Sequence, residues 1–274
     1  MKFDKALDFD TLVREIQRAP KYQAMGIPDE TVLDLLVQES ARYPERRELV
    51  KIVRRKLHNI MAPYLEELSY AEASGWIDAL DPVDTTAVRE VCARILSSHA
   101  SSRERMPLLE DFYRRIFEAV GTPASIMDLA CGFHPFSLPW MGLPAAVQFF
   151  AYDIHQPRVD LINRFFRKIG LQPLAEVRDV LVNPPQQQAD VALIFKEAHR
   201  MEKRKPGCSR PFWQALQTRW LLVSLPSTDL SGSHDLAGKH RELVAGIVDG
   251  LPWTVEEIVF PNEIVFVIDK GGAA

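Results

Sequence analysis

The chain has 274 residues, enough for one large domain or two ordinary ones. With 47% hydrophobic and 26% charged residues it can build a core, and no apolar run approaches the roughly 20 residues of a membrane span. A net charge of −4 excludes a uniformly basic nucleic-acid binder but leaves room for a local basic face. Cys92, Cys131 and Cys208 lie far apart and match no metal-ligand spacing, and so low and odd a count fits a reducing compartment. The start, MKFDKALDFD, has no apolar segment of the kind a secretory signal needs. A cytoplasmic protein without a bound metal is expected.

The first hundred residues read as helices. DETVLDLLVQESARY carries Val32, Leu35, Leu36 and Glu39 at helical spacing. RRELVKIVRRKLHNIMAPYL places Leu49, Ile52, Val53, Leu57, Ile60 and Met61 on one stripe and Arg46, Arg47, Lys51, Arg54, Arg55 and Lys56 on the other face. DTTAVREVCARILSSHA is a third helix, with Asp84 or Thr85 as its N-cap. The helical repeat of residues 101–121 follows, through Met106, Leu109, Phe112, Tyr113, Ile116 and Val120, and is stopped by Gly121 and Pro123.

After Pro123 short β-type runs alternate with helices, with strands expected at 125–129, 148–153, 175–179, 191–195 and 220–225. Such alternation implies a parallel sheet with crossover helices. The end, WTVEEIVFPNEIVFVIDK, instead reads as two strands around a Pro-Asn turn. A parallel α/β sheet closed by an antiparallel C-terminal hairpin is the arrangement of class I, Rossmann-like, S-adenosylmethionine-dependent methyltransferases. The expected architecture is therefore a mostly parallel seven-stranded sheet at 105–274, preceded by a helical domain at 1–104.

In an open α/β sheet, ligands sit beyond the carboxyl ends of the strands where strand order reverses. IMDLACGFHP delivers such a loop, with Asp128 at the strand end and Ala130 and Gly132 small enough for close backbone approach. Asp153 in AYDIH and Asp179 in VRDVL end the next two strands, where acids can accept ribose hydroxyls and an adenine amino group. Lys196 ends the fourth strand; it either holds the methyl acceptor or is a solvated lysine. Cys131 reads as a packing residue, and His134 and His155 have no ligand partner at recognisable spacing. The basic helix is either a solvated face or, with Lys203, Arg204 and Lys205 after Lys196, part of a phosphate-binding track.

Over nearly its whole length the chain resembles the aminoglycoside-resistance 16S rRNA (guanine-N7) methyltransferases. HASSRERMPLLEDFYRRIF is similar to that family's H-x-S-T-x-E-R-x-x-x-L-x-x-F-Y stretch, and DLACGFHPFSLPWMGLP to its D-x-A-C-G-x-x-P-x-x-x-P-W loop. KYQAM with VRRKLHNIMAPYL looks like its N-terminal bundle, and Pro261–Glu263 corresponds to its C-terminal G-N-E. The resemblance implies S-adenosylmethionine as cofactor, 16S rRNA within the 30S subunit as partner, and a monomer. It implies that Arg105 meets the cofactor's carboxylate, that Asp128, Ala130 and Gly132 form the loop, and that Asp153 and Ile154 lie at the ribose and Asp179 and Val180 at the adenine. It places Lys196 and Trp140 at the target pocket, and Lys21, Arg54, Arg55 and Lys56 on the RNA face; Lys203, Arg204 and Lys205 are candidate RNA contacts from their charge clustering alone. Guanine N7 already carries a free lone pair, so no dedicated general base is expected. Three departures fall on the RNA side: LPSTDLSGSH puts Thr228, Asp229 and His234 where basic groups are usual, EKRKPGCS replaces a Q-R-G-S loop, and His155 replaces an acid. They keep open a different rRNA site, or an RNA-binding protein that has lost catalysis.

Overall fold

The apolar stripes of the first helices close on one another. In the computed structural model, which describes residues 8–61, 68–228 and 236–271, four helices form a bundle: α1 (Phe9–Gln17), α2 (Pro20–Met25), α3 (Asp29–Ser40) and α4 (Arg46–Met61). They bury Leu12, Ile16, Val32, Leu35, Leu36, Leu49, Val53 and Leu57 as one cluster. Gly26 ends α2 at φ 56°, and a β-carbon there would lie 2.5 Å from the Gln156 side chain, so only glycine allows the bundle this close to the rest of the chain. Asp229 and His234 lie outside the described residues.

Four more helices follow: α5 (Tyr70–Asp78), α6 (Thr85–Ser97), α7 (Ala100–Arg105) and α8 (Leu109–Val120). Asp84 caps α6 by accepting from the Thr86 and Ala87 amides. The repeat over 101–121 is not one helix. Pro107 has no N–H to donate, and a 3-10 turn at Met106–Leu108 separates α7 from α8. Ala73, Ile77, Ile95, Phe112 and Ile116 share a core with the sheet residues Ile126, Phe149 and Leu193. The apolar core of α1–α4 is thus separate from that of α5, α6 and α8, whose stripes face the sheet.

The strands are β1 (Ser125–Leu129), β2 (Gln148–Asp153), β3 (Ala175–Val177), β4 (Gln188–Phe195), β5 (Gln217–Pro226), β6 (Thr254–Val259) and β7 (Glu263–Asp269), in the order β3-β2-β1-β4-β5-β7-β6. β1 to β5 pair in parallel; β7 runs antiparallel to β5, and β6 to β7. β3 stops two residues short of the expected Asp179, because the carbonyl of Asp179 turns back to accept the Val182 and Asn183 amides. Crossovers α9 (Gln156–Lys168), α10 (Ala198–Arg204), α11 (Ser209–Ala215) and α12 (Ala237–Val248) cover the sheet. Apolar clusters lie on both faces, which explains why β1, β4 and β7 read as nearly continuous buried runs. Strand order reverses between β1 and β4, so the carboxyl ends of these two neighbours flank the crevice.

Candidate active site

Two non-glycine residues among those described have positive φ, Ala130 at 54° and Lys196 at 59°. They follow β1 and β4, the two strands at the reversal point. Backbone held in this region costs energy for an L-residue and is found where the surroundings impose it, often at functional sites. Gly132, at φ 56°, turns the first loop a second time, and a β-carbon added there would meet no atom within 4 Å. The resulting cleft is lined by Asp128, Ala130, Gly132, Lys196, Ser101 and Arg105, among others.

Asp128 is buried, and its Oδ2 lies 2.7 Å from His134 Nδ1. His134 Nε2 is 2.6 Å from the Tyr113 hydroxyl, which also bonds Ser137 Oγ. Burial, reinforced by the negative Asp128, pushes the Tyr113 hydroxyl above its ordinary range despite Arg105 nearby, so it remains a donor. His134 thus has two partners that its spacing did not reveal. Burial, with Asp128 next, also raises the Cys131 thiol well above its ordinary value, which makes it a packing residue and not a nucleophile.

Arg105 lines the cleft but spends most of its fork inward. Its Nε and Nη2 donate to Glu263 at 2.7 and 2.6 Å, and Nη2 also reaches Ser224 Oγ at 3.3 Å. The guanidinium lies over the rings of Phe112 and Phe195. Burial alone would raise the Glu263 carboxyl, but the Arg105 charge and hydrogen bonds outweigh it and hold Glu263 below the ordinary range. Lys196 is 9% exposed; its Nζ meets Glu104 at 2.8 Å and its amide donates to the Ser224 carbonyl. It is a paired lysine at the cleft, not a solvated one.

The other two strand-end acids do not line this cleft. Asp153 accepts from the His155 amide at 2.9 Å, the Gly132 amide at 3.0 Å, and Arg158 Nη1 at 3.2 and 3.1 Å, one contact to each oxygen. A carboxylate offers about four acceptor sites, and all of them are used. Among the described residues, Asp179 Oδ1 accepts only from the Leu181 amide at 3.2 Å, while Oδ2 meets Thr31 Oγ1 at 2.9 Å and Arg204 Nη2 at 2.7 Å. Ile154 packs against the core of the helical bundle, and Val180 is buried among Leu129, Tyr152 and their neighbours.

Two expected placements differ in the structure. Trp140 does not line the cleft; the 3-10 helix His134–Trp140 carries it to a hollow beside Met106, Pro107 and Arg114, under the Arg89 guanidinium. Arg204 is not a free surface cation: its side chain is 11% exposed and it is held by Asp179 and Asp34. Lys205 bonds Asp34, Lys56 bonds Glu39, and Arg46 bonds Glu15, so part of each basic cluster is paired with acids. Lys21, Arg54, Arg55 and Lys203 remain exposed, Arg54 with Glu15 at 3.9 Å. Thr31, Arg158, Glu263 and the Tyr113–His134 pair were missed in the sequence, because each acts on a partner supplied by a distant segment or a loop turn.

A doubly wound sheet closed by an antiparallel strand pair, with an acid-tipped small-residue loop at its reversal point, defines a class I S-adenosylmethionine-dependent methyltransferase. The chain belongs to the ribosomal RNA methyltransferase (FmrO) family, whose model matches residues 18–267. It is 31% identical over 269 residues to a Frankia casuarinae protein named 16S rRNA (guanine(1405)-N(7))-methyltransferase, covering 94% of this chain and 93% of that one. The solved structure of the 16S rRNA methylase RmtB matches with a TM-score of 0.77 at 28% identity, over 97% of this chain and 100% of that one. The 16S rRNA methyltransferase RmtF, solved with S-adenosyl-L-homocysteine, shares the fold with a TM-score of 0.76 at 24% identity, over 96% of this chain and 98% of that one.

Proposed function

We propose that the protein transfers a methyl group from S-adenosylmethionine to N7 of the decoding-site guanosine of 16S rRNA, acting on the assembled 30S subunit as a cytoplasmic monomer and conferring aminoglycoside resistance. The observation that carries this reading is the meeting of Lys196 and the Asp128–Gly132 loop in one cleft, within a chain whose family model spans residues 18–267.

The residues suit the cofactor. Asp128 and Asp179 each keep acceptor capacity on Oδ1, for the methionine amino group and the adenine amino group respectively. Asp153 has none to spare, so ribose hydroxyls must share it with Arg158 or displace that contact. When bound, S-adenosylmethionine supplies an electrophilic methyl on a sulfonium. The protein's part is placement: Lys196 holds the acceptor base against the loop, and no residue has to take a proton from N7 before it attacks. Extruding the base from its stack costs a few kcal/mol, offset by contacts from Lys21, Arg54, Arg55 and Lys203 to the RNA backbone.

The test uses purified 30S subunits, the protein and methyl-labelled cofactor. We expect 7-methylguanosine at a single decoding-site position, and loss of gentamicin and kanamycin susceptibility in a bacterium expressing the gene. Label at another nucleotide would assign a different site, and absence of label with intact 30S binding would leave an RNA-binding protein without catalysis.

A further inference from the structure

Two residues of α3, one helical turn apart, reach from the bundle into the catalytic unit. Thr31 has no exposed surface and donates from Oγ1 to Asp179 Oδ2 at 2.9 Å, across 148 positions of sequence. Asp34 accepts from Arg204 Nη2 at 3.3 Å and from Lys205 Nζ at 3.1 Å. The same Arg204 Nη2 lies 2.7 Å from Asp179 Oδ2, so this one nitrogen bridges an acid on α3 and an acid at the end of the third strand. The Thr31 hydroxyl and the Arg204 guanidinium both claim Oδ2. Oδ1 keeps open capacity beside the Leu181 amide.

We propose that Thr31 and Arg204 are positioning residues for the adenine half of the cofactor site, holding the Asp179 carboxylate in one rotamer so that Oδ1 accepts from the adenine amino group. This rests on the reading that Asp179 faces adenine. The bundle is then part of the cofactor site as well as a surface for RNA. An ionised carboxylate accepts hydrogen bonds and donates none. Adenine presents an N–H donor to it, whereas hypoxanthine presents a carbonyl lone pair, so a fixed Asp179 discriminates between the two bases. If it were free to rotate away, the amino group would lose its acceptor and the carbonyl would be tolerated.

Thr31→Val keeps the shape and removes the hydroxyl, and Thr31→Ser restores a donor. Calorimetry with S-adenosyl-L-homocysteine and its hypoxanthine analogue, S-inosyl-L-homocysteine, separates positioning from general weakening. We expect the wild-type protein to prefer the adenine compound by tenfold or more, about what leaving a buried acceptor unpaired costs. Thr31→Val should weaken the adenine compound roughly three- to tenfold and leave the hypoxanthine compound unchanged or tighter. Thr31→Ser should recover most of the difference. Equal weakening of both ligands, or no change in either, overturns the positioning role. A wild-type protein that does not prefer adenine overturns the placement of Asp179 itself.

Discussion

Glu263 and Arg105 are both almost fully buried and form a two-pronged ion pair between segments 158 positions apart. Such a pair adds little net stability over an apolar substitute, but removing one charge leaves the other stranded. Glu263→Gln should therefore destabilise the protein by about 3 kcal/mol, measurable as a lowered urea midpoint. Because the folded carboxyl titrates below its ordinary value, its contribution is complete above the ordinary glutamate range. That contribution disappears as pH falls through the lowered value. The variant should accordingly show a flatter loss of stability at acid pH than the wild type, seen by repeating the urea titrations down the pH scale. The same substitution frees the Arg105 fork, so its effect on cofactor affinity would show whether Glu263 competes with the carboxylate that the family resemblance assigns to Arg105.

At the level of elements, α4 has to be divided. Lys56 is tied to Glu39, and Arg46 to Glu15, while Arg54 and Arg55 stand exposed, as does Lys21 on α2, beside the Tyr22 whose hydroxyl donates to the Arg54 carbonyl. Replacing Lys21, Arg54 and Arg55 with alanine should lower 30S affinity and make its salt dependence shallower, by roughly 0.7 in log–log slope for each phosphate no longer neutralised. The thermal midpoint should hardly move, since exposed substitutions usually stay within about 0.5 kcal/mol. Filter binding across a salt series checks the first, and calorimetric melting the second; an unchanged salt slope would return α4 to the status of a solvated face. The central strands were legible because they carry apolar runs ended by turn signals, and the bounds of β1 and β2 match their sequence patterns to the residue. The break at Pro107 was also written in the sequence, but the helical periodicity continues on both sides and hides it. What could not be read was the pairing of charges. Lys56 looks the same in sequence as Arg55, and only the approach of α3 to α4 gives one of them an acid.

For the molecule as a whole, His155, which is buried, and His99 and His199, which are half-buried, set the acid limit of stability. Burial, followed by neighbouring cations, lowers His99 to about 4; the same causes act on His155, lowered to about 4 with Arg158 the main cation, and on His199, lowered to about 4 with His240 beside it. The unfolded chain protonates these rings near pH 6.5 and the folded one does not, so the unfolded state binds more protons between those values. Stability should therefore fall steadily as pH drops from about 6.5 to about 4. Thermal melts across that interval check this, and His199→Asn should shallow the fall. Elsewhere, the grip of Thr31 and Asp34 has a consequence for inheritance. A helical extension that only recognised a substrate could be exchanged between relatives like a removable head. This one cannot be exchanged freely, because any replacement must bring a hydroxyl and an acid one turn apart to meet Asp179 and Arg204. Chimeras that swap the first 61 residues should succeed only between chains that agree at those four positions.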